Sequence, residues 1–216
     1  KTIRKILYQR SIAGPFQNLQ DFVNRVSISS EQLDLLIRIG AFRFCGLSKC
    51  ELLWEKNAVF NPNPKRNIGQ VLFPTSNSAI TLPMLEEHPA DQYFDELELL
   101  GFSTLDPFAF LKKQTLSGIL AKELKQHNRR IVKIYGYFVC RKHVSTSNKK
   151  QMNFGTWIDE TGQFFDTTHF PQALSKSPFR GRGVYEIHGR VVEDFGVASI
   201  EVSKMKKIPF VEDKRY

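Results

Sequence analysis

Residues 151–170 read Gln151-Met152-Asn153-Phe154-Gly155-Thr156-Trp157-Ile158-Asp159-Glu160-Thr161-Gly162-Gln163-Phe164-Phe165-Asp166-Thr167-Thr168-His169-Phe170. Two runs rich in β-branched and aromatic residues flank a turn signalled by Thr161-Gly162, so the stretch reads as a β-hairpin. Working outward, further strand-like runs cover 131–144, 184–192 and 198–204, beside the hairpin's own 151–159 and 163–170. Turns are signalled at Ser147-Asn148 and Phe195-Gly196, and an irregular or helical insert at 171–182 separates the third run from the fourth. Five strands interrupted between the third and fourth follow the order of an OB-fold barrel.

Side chains alternate along a strand, so residues three apart, or adjacent, point to opposite faces. Phe154 and Trp157 on the second strand therefore diverge, as do Phe164 and Phe165 on the third. A small barrel has one interior, which leaves one aromatic of each strand facing out. Such a pair is either a stacking platform for bases, each worth about 1–3 kcal/mol, or is covered by another element. Phe154, Trp157 and Phe165 are the aromatic candidates. Basic side chains stand beside them in the sequence: Arg141 and Lys142, the loop pair Lys149 and Lys150, and Arg180 and Arg182. Aromatics interleaved with cations on this fold favour single-stranded nucleic acid.

The remainder of the 216 residues is helical or irregular. Ile3, Ile6 and Leu7 share one face of a first helix, broken by Gly14-Pro15; Asn18 caps a second, and Ser29 with Gln32 has capping-box spacing for a third that stops at Gly40. Phe42, Phe44 and Cys45 are expected to complete that small core. Residues 57–83, rich in Asn, Pro, Ser and Thr, read as a linker around the apolar cluster Gly69-Gln70-Val71-Leu72-Phe73. Beyond it, Asp91, Asp106-Pro107 and Ser117 are candidate helix starts, and Asp95, Glu96 and Glu98 a solvated face. The expected organisation is thus α+β and multidomain: a small helical domain at 1–56, a linker at 57–83, a helical connector at 84–128 and an OB-fold at 129–210.

Charge is uneven along this organisation. Residues 1–50 carry 8 basic and 3 acidic side chains, 51–128 carry 7 and 10, and 129–216 carry 16 and 9, which sums to +9. Two basic blocks around an acidic middle suit a phosphate-bearing partner, because bound Lys and Arg release counterions. Three cysteines without a CxxC pair suit neither a disulfide framework nor a zinc site and suggest a reducing cytoplasm. No apolar run reaches the length of a spanning helix, so no membrane partner is expected. The start at Lys1, without Met or a signal-type stretch, is expected of a piece of a longer protein.

Three segments, in order, resemble the C-terminal region of the bacterial replicative DNA polymerase III alpha subunit, a C-family polymerase. Gly14-Pro15-Phe16, Asp21 to Val26 and Leu36 to Phe42 look like the end of its tandem helix-hairpin-helix domain; Glu98 to Phe102 is similar to its connector helix; Met152 to Gly162 looks like its OB-fold signature. The resemblance implies that the helical domain, through Arg38, Gly40, Ala41, Arg43 and Lys49, binds primer-template duplex, with backbone amides of the Gly40 turn on phosphate. It implies that Gln70, Leu72 and Phe73 belong to a sliding-clamp-binding peptide, one residue shorter than the usual five-residue form. It also implies that Phe154 stacks on a base of the single-stranded template, without strong sequence preference, during DNA replication, with other replisome subunits nearby.

The chemistry of that family's active site, a cluster of aspartates holding Mg²⁺, is not in this sequence. Asp159-Glu160 reads as turn chemistry, and His88, His127, His143, His169 and His188 lack metal-ligand spacing. The stretch is therefore expected to need no cofactor and to catalyse nothing alone, Mg²⁺ belonging to the parent's polymerase domain. Two further readings stay open: an RNA-binding OB module of the synthetase type, and a protein-interaction scaffold within the replisome.

Overall fold

The structure is a computed structural model and describes residues 2–60, 88–112, 116–145 and 150–215. Its contacts divide the chain into two units, Lys1–Thr104 with Asp213–Tyr216, and Leu105–Glu212. Residues 84–128 are thus shared between the units. Among the described residues no helix is long and apolar enough to cross a membrane.

The first unit is helical: α1 (Thr2–Ala13), α2 (Leu19–Arg25), α3 (Ser30–Arg38), α4 (Lys49–Phe60) and α5 (Pro89–Leu99). The local signals act as their chemistry predicts. Asn18 Oδ1 accepts the Asp21 amide at 2.8 Å, and Ser29 Oγ accepts that of Gln32 at 3.3 Å. At the end of α3 the amide of Ala41 reaches the Leu36 carbonyl and that of Gly40 the Ile37 carbonyl, both at 2.9 Å. With Gly40 at φ +70° this is a Schellman motif, whose left-handed residue strongly favours glycine. Leu19, Phe22, Val26, Leu33, Ile37, Phe42 and Leu52 form the core.

Four expectations change here. Phe44 stands outside the core, and on α1 only Ile6 packs against it while Ile3 and Leu7 are exposed. The cap of α5 is His88, whose Nδ1 accepts the Ala90 amide, because Pro89 at the first helical position already fixes the entry three residues before Asp91 could. Ser117 starts no helix. Ile119 bridges Ile134, and a 3₁₀ segment (Ala121–His127) begins after it.

In the second unit β1 (Ile131–Ser145), β2 (Gln151–Ile158), β3 (Phe164–His169), β4 (Val184–Asp194) and β5 (Val197–Lys207) close a barrel in the order β1-β2-β3-β5-β4, with α6 (Pro171–Lys176) between β3 and β4. All neighbours are antiparallel except β3 and β5, whose parallel ladder has three pairs, Asp166–Ser199, Thr167–Ile200 and Thr168–Glu201. Ile134, Trp157, Phe165, Tyr185, Ile187, Val191, Ile200 and Val202 fill the interior, and Leu124 of the 3₁₀ segment packs with them. This is the five-stranded OB-type barrel that the hairpin sequence predicts.

Candidate nucleic-acid interface

The register of β1, β2 and β3 decides which aromatics are available. Trp157 lies opposite both Phe138 and Phe165, and Phe154 lies opposite Lys142 and Thr168. Trp157 is 0% and Phe165 4% exposed. The expectation that these two meet nucleic acid is therefore corrected: both belong to the barrel core. Trp157 cannot swing out, because its Nε1 donates to Thr167 Oγ1 at 2.6 Å and its ring stacks on Phe179 at 5.7 Å. Phe154, 41% exposed, and Phe164, 65% exposed, face outward instead. Phe164 follows from the register, since a residue directly across from an inward Trp must itself point inward, and its neighbour outward.

Outward residues thus form three rows across the strands: Lys142, Phe154 and Thr168; Cys140, Thr156 and Asp166; Tyr137, Ile158 and Phe164. Thr156 Oγ1 donates to Asp166 at 2.7 Å, which fixes the middle row between the two phenylalanines. Arg141 is not in the row of Phe154. Its register partner is Gly155, and its guanidinium lies over the Phe179 ring at 5.3 Å. Arg180 and Arg182 are exposed in the segment between α6 and β4, where the Arg180 amide donates to Tyr185 Oη at 2.8 Å. Lys150 is exposed immediately before β2, and Lys149 lies outside the described residues.

Buried polar groups behind this face hold its shape. Thr167 Oγ1 lies 3.1 Å from the Gly155 carbonyl and 2.8 Å from His169 Nε2, in addition to accepting from Trp157. The hydroxyl has one proton, so it donates to Gly155 while the Nε2–H of His169 donates to it, leaving His169 Nδ1 a bare acceptor with no partner. Burial lowers the His169 pKa to about 4. Asp159, also buried, ties the β2–β3 turn together by accepting from the amides of Ala121, Thr161 and Gln163 and from the Thr161 hydroxyl, at 2.7–2.9 Å. Burial acts to raise its carboxyl, but these hydrogen bonds hold it below the usual range.

The duplex-binding set behaves differently from its expectation. The amides of Gly40 and Ala41 are consumed by the cap of α3, so neither is available to a phosphate. Arg38 donates to Asp95 at 2.7 Å and Glu98 at 2.8 Å, Lys49 donates to Asp95 at 2.9 Å, and Arg43 pairs with Glu96. Asp95 also takes Arg215. Asp95 and Glu96 are 2% and 1% exposed, which corrects their reading as a solvated face. Buried carboxylates require partners, and the cations of α3 and α4 supply them. Burial acts to raise the Asp95 carboxyl, yet Lys49 and Arg38 hold it below the usual carboxylate range. Gln70, Leu72 and Phe73 lie outside the described residues. Among the described residues no group of three His, Cys, Asp or Glu side chains is arranged to hold a metal ion.

A helix-hairpin-helix motif model matches residues 1–52. An error-prone DNA polymerase of Methylococcus capsulatus is 24% identical over 211 residues, covering 90% of this chain and 18% of that protein. Over most of its length the chain is thus similar to an error-prone DNA polymerase, a C-family enzyme of the polymerase III alpha type. A second relative, the error-prone DNA polymerase of Mycobacterium tuberculosis, is 36% identical over 65 residues, 30% of this chain and 6% of that one. The chain thus spans less than a fifth of the C-family relatives it matches. Among solved structures, the second OB-fold domain of replication protein A from Methanococcus maripaludis is 16% identical with a TM-score of 0.29, covering 40% of this chain and 91% of that one. The protein PriB from Ralstonia solanacearum is 9% identical with a TM-score of 0.29, over 36% and 95%.

Proposed function

We propose that this part of a C-family polymerase holds DNA during synthesis, with the barrel carrying single-stranded template across the outer face of β1, β2 and β3. The observation that carries the reading is Phe154: an exposed ring on the central strand of a closed barrel's face, flanked in register by Lys142 and Thr168. A base stacks on such a ring whatever its identity, while the ammonium beside it meets a phosphate. Phe164, at the other end of the same face, offers a second platform.

Phe154→Ala is expected to weaken binding of a single-stranded oligonucleotide by about 1–3 kcal/mol, roughly 5- to 150-fold. Fluorescence anisotropy measures this, and an unchanged melting temperature verifies that an exposed ring was removed. Unaltered affinity at both Phe154→Ala and Phe164→Ala would sink the reading. A DNA-against-RNA comparison on the same titration separates it from the synthetase-type alternative.

Duplex contact by the helical unit is the second reading, favoured by the helix-hairpin-helix match. Arg43, whose side chain stays half exposed beside Glu96, is the one of its three cations best placed to turn toward a phosphate. Docking of Gln70, Leu72 and Phe73 to a sliding clamp completes the proposal, in a cytoplasmic replisome whose Mg²⁺ chemistry resides elsewhere in the parent. Changing Leu72 and Phe73 to Ala is expected to abolish clamp pull-down while leaving DNA affinity intact; retained pull-down would remove the peptide from the interface.

A further inference from the structure

The Phe154 face has little charge of its own. Its described strand positions carry one cation, Lys142, set against one carboxylate, Asp166. Yet phosphate neutralisation supplies most of the affinity of non-specific nucleic-acid binders. The missing charge is found on another side of the barrel, where β1, β4 and β5 are neighbours.

Here the outward positions again form rows. Lys133 lies opposite His188, which lies opposite Lys204; Tyr135 lies opposite Glu186, which lies opposite Lys206; Ile131 lies opposite Arg190, which lies opposite Glu201. Four permanent cations thus face two carboxylates. Glu186 is already engaged, accepting from Tyr135 Oη at 2.9 Å and lying 2.8 Å from His188 Nε2. Lys204, Lys206 and Arg190 are exposed and form no ion pair among the described residues. Lys133 and Lys204 flank His188 in one cross-strand row, and Lys133 Nζ also donates to Ser117 Oγ at 2.8 Å. A polyanion lying along this side of the barrel would meet Lys133 and Lys204 in one row, with Lys206 and Arg190 in the rows beside it.

A β-bulge makes this row possible. Between His188 and Gly189 the pairing jumps from Lys204 to Val202, so Ser203 is accommodated as an extra residue. Val202 and Met205 then both point inward, and Lys204 and Lys206 outward.

We infer that the β1-β4-β5 face is a second nucleic-acid site, one that grips the phosphate backbone through Lys133, Arg190, Lys204 and Lys206 while bases are held on the Phe154 face. It rests on the reading of the barrel as a DNA holder but assigns a different surface and a different interaction. An oligonucleotide long enough to pass around the barrel would engage both faces; a short one would engage only the stacking face.

The test uses the 216-residue chain, with Lys204→Gln/Lys206→Gln and Phe154→Ala as separate variants. Oligothymidylates of about 6 and about 25 nucleotides are titrated at several salt concentrations. For the long oligonucleotide the double lysine variant is expected to flatten the plot of log affinity against log salt by about 1.4, or 0.7 per phosphate contact on single strands. For the short one it should change neither slope nor affinity. Phe154→Ala should weaken both without changing either slope. An unchanged slope in the lysine variant on the long strand, with Phe154→Ala still weakening binding, would overturn the second site and leave the stacking face standing. Loss of slope with no effect of Phe154→Ala would keep the basic face and overturn the stacking face. Equal melting temperatures of variant and parent rule out misfolding, and Lys204→Arg/Lys206→Arg should restore the slope.

Discussion

Asp95→Ala is expected to destabilise the helical unit by about 3 kcal/mol, near the lower end of the 3–5 kcal/mol found when one partner of a buried ion pair is removed. The carboxylate is almost fully buried and is the shared acceptor for Arg38, Lys49 and Arg215. The lower end applies because two of the cations keep other partners. Arg38 retains Glu98, and Arg215 retains Asp213 at 2.7 Å. Lys49 has no second carboxylate partner among the described residues, and its largely covered ammonium must then find water. Glu98→Gln is the matched control, because Glu98 lies at the rim of the same cluster and should cost less than about 1 kcal/mol. Urea unfolding followed by far-ultraviolet circular dichroism, to which helices contribute most, compares them. Equal small losses in both variants would show that the cations of α3 and α4 need no central acceptor.

The second large effect is one of pH, and it belongs to the barrel. His169 is neutral inside the fold, with its pKa lowered from 6.5 to about 4 by burial. Between those values the unfolded chain binds a proton that the folded chain refuses, so stability falls as pH falls through this window. The barrel is fully stabilised with respect to this group above pH 6.5, and the loss is complete below about pH 4. Its size follows from the shift: about 3 kcal/mol. Asp159, whose carboxyl is also lowered, acts in a separate and more acid window, below its ordinary value of 3.8. Barrel stability measured by Trp157 emission in a Trp54→Phe background at pH 7, 5.5 and 4.5 should therefore decline above the window in which Asp159 titrates. In His169→Gln that decline should disappear, since glutamine can still donate to Thr167 and carries no titratable proton. A parent barrel equally stable at pH 7 and 4.5 would mean that the imidazole is protonated and solvated in the fold.

The barrel was largely legible because its signals are local. Alternation gave five strands, Thr161-Gly162 and Phe195-Gly196 gave two hairpin turns, and Asn18, Ser29 and Gly40 gave the helix ends. What escaped was set by partners distant in the sequence. Trp157 and Phe165 carry the same aromatic signal as Phe154; only the pairing of β2 with β3 shows that they lie side by side on the inner face. Asp95 and Glu96 look like surface acids until α5 lies beside α3. The basic row on β5 is hidden by its own periodicity. Strict alternation from Ile200 and Val202 would carry Lys204 and Lys206 inward. The phase is reset only by the bulge opposite Gly189, where a Cβ would run into the Glu201 carbonyl oxygen. No side chain but hydrogen fits that approach, and a lone glycine in a strand does not announce its partner.

The three-pair parallel ladder between β3 and β5 also has a consequence for how the molecule is made. The antiparallel β2–β3 and β4–β5 hairpins can form from neighbouring residues, but this seam joins segments that have the whole α6 excursion and β4 between them. Contacts of that separation bring a large loop-closure entropy and form late. Until the seam shuts, β3 and β5 each present an unpaired edge to any other chain. The interval between hairpin formation and closure is then the stage at which a newly synthesised chain is most open to edge-to-edge association, and chaperone capture would act there.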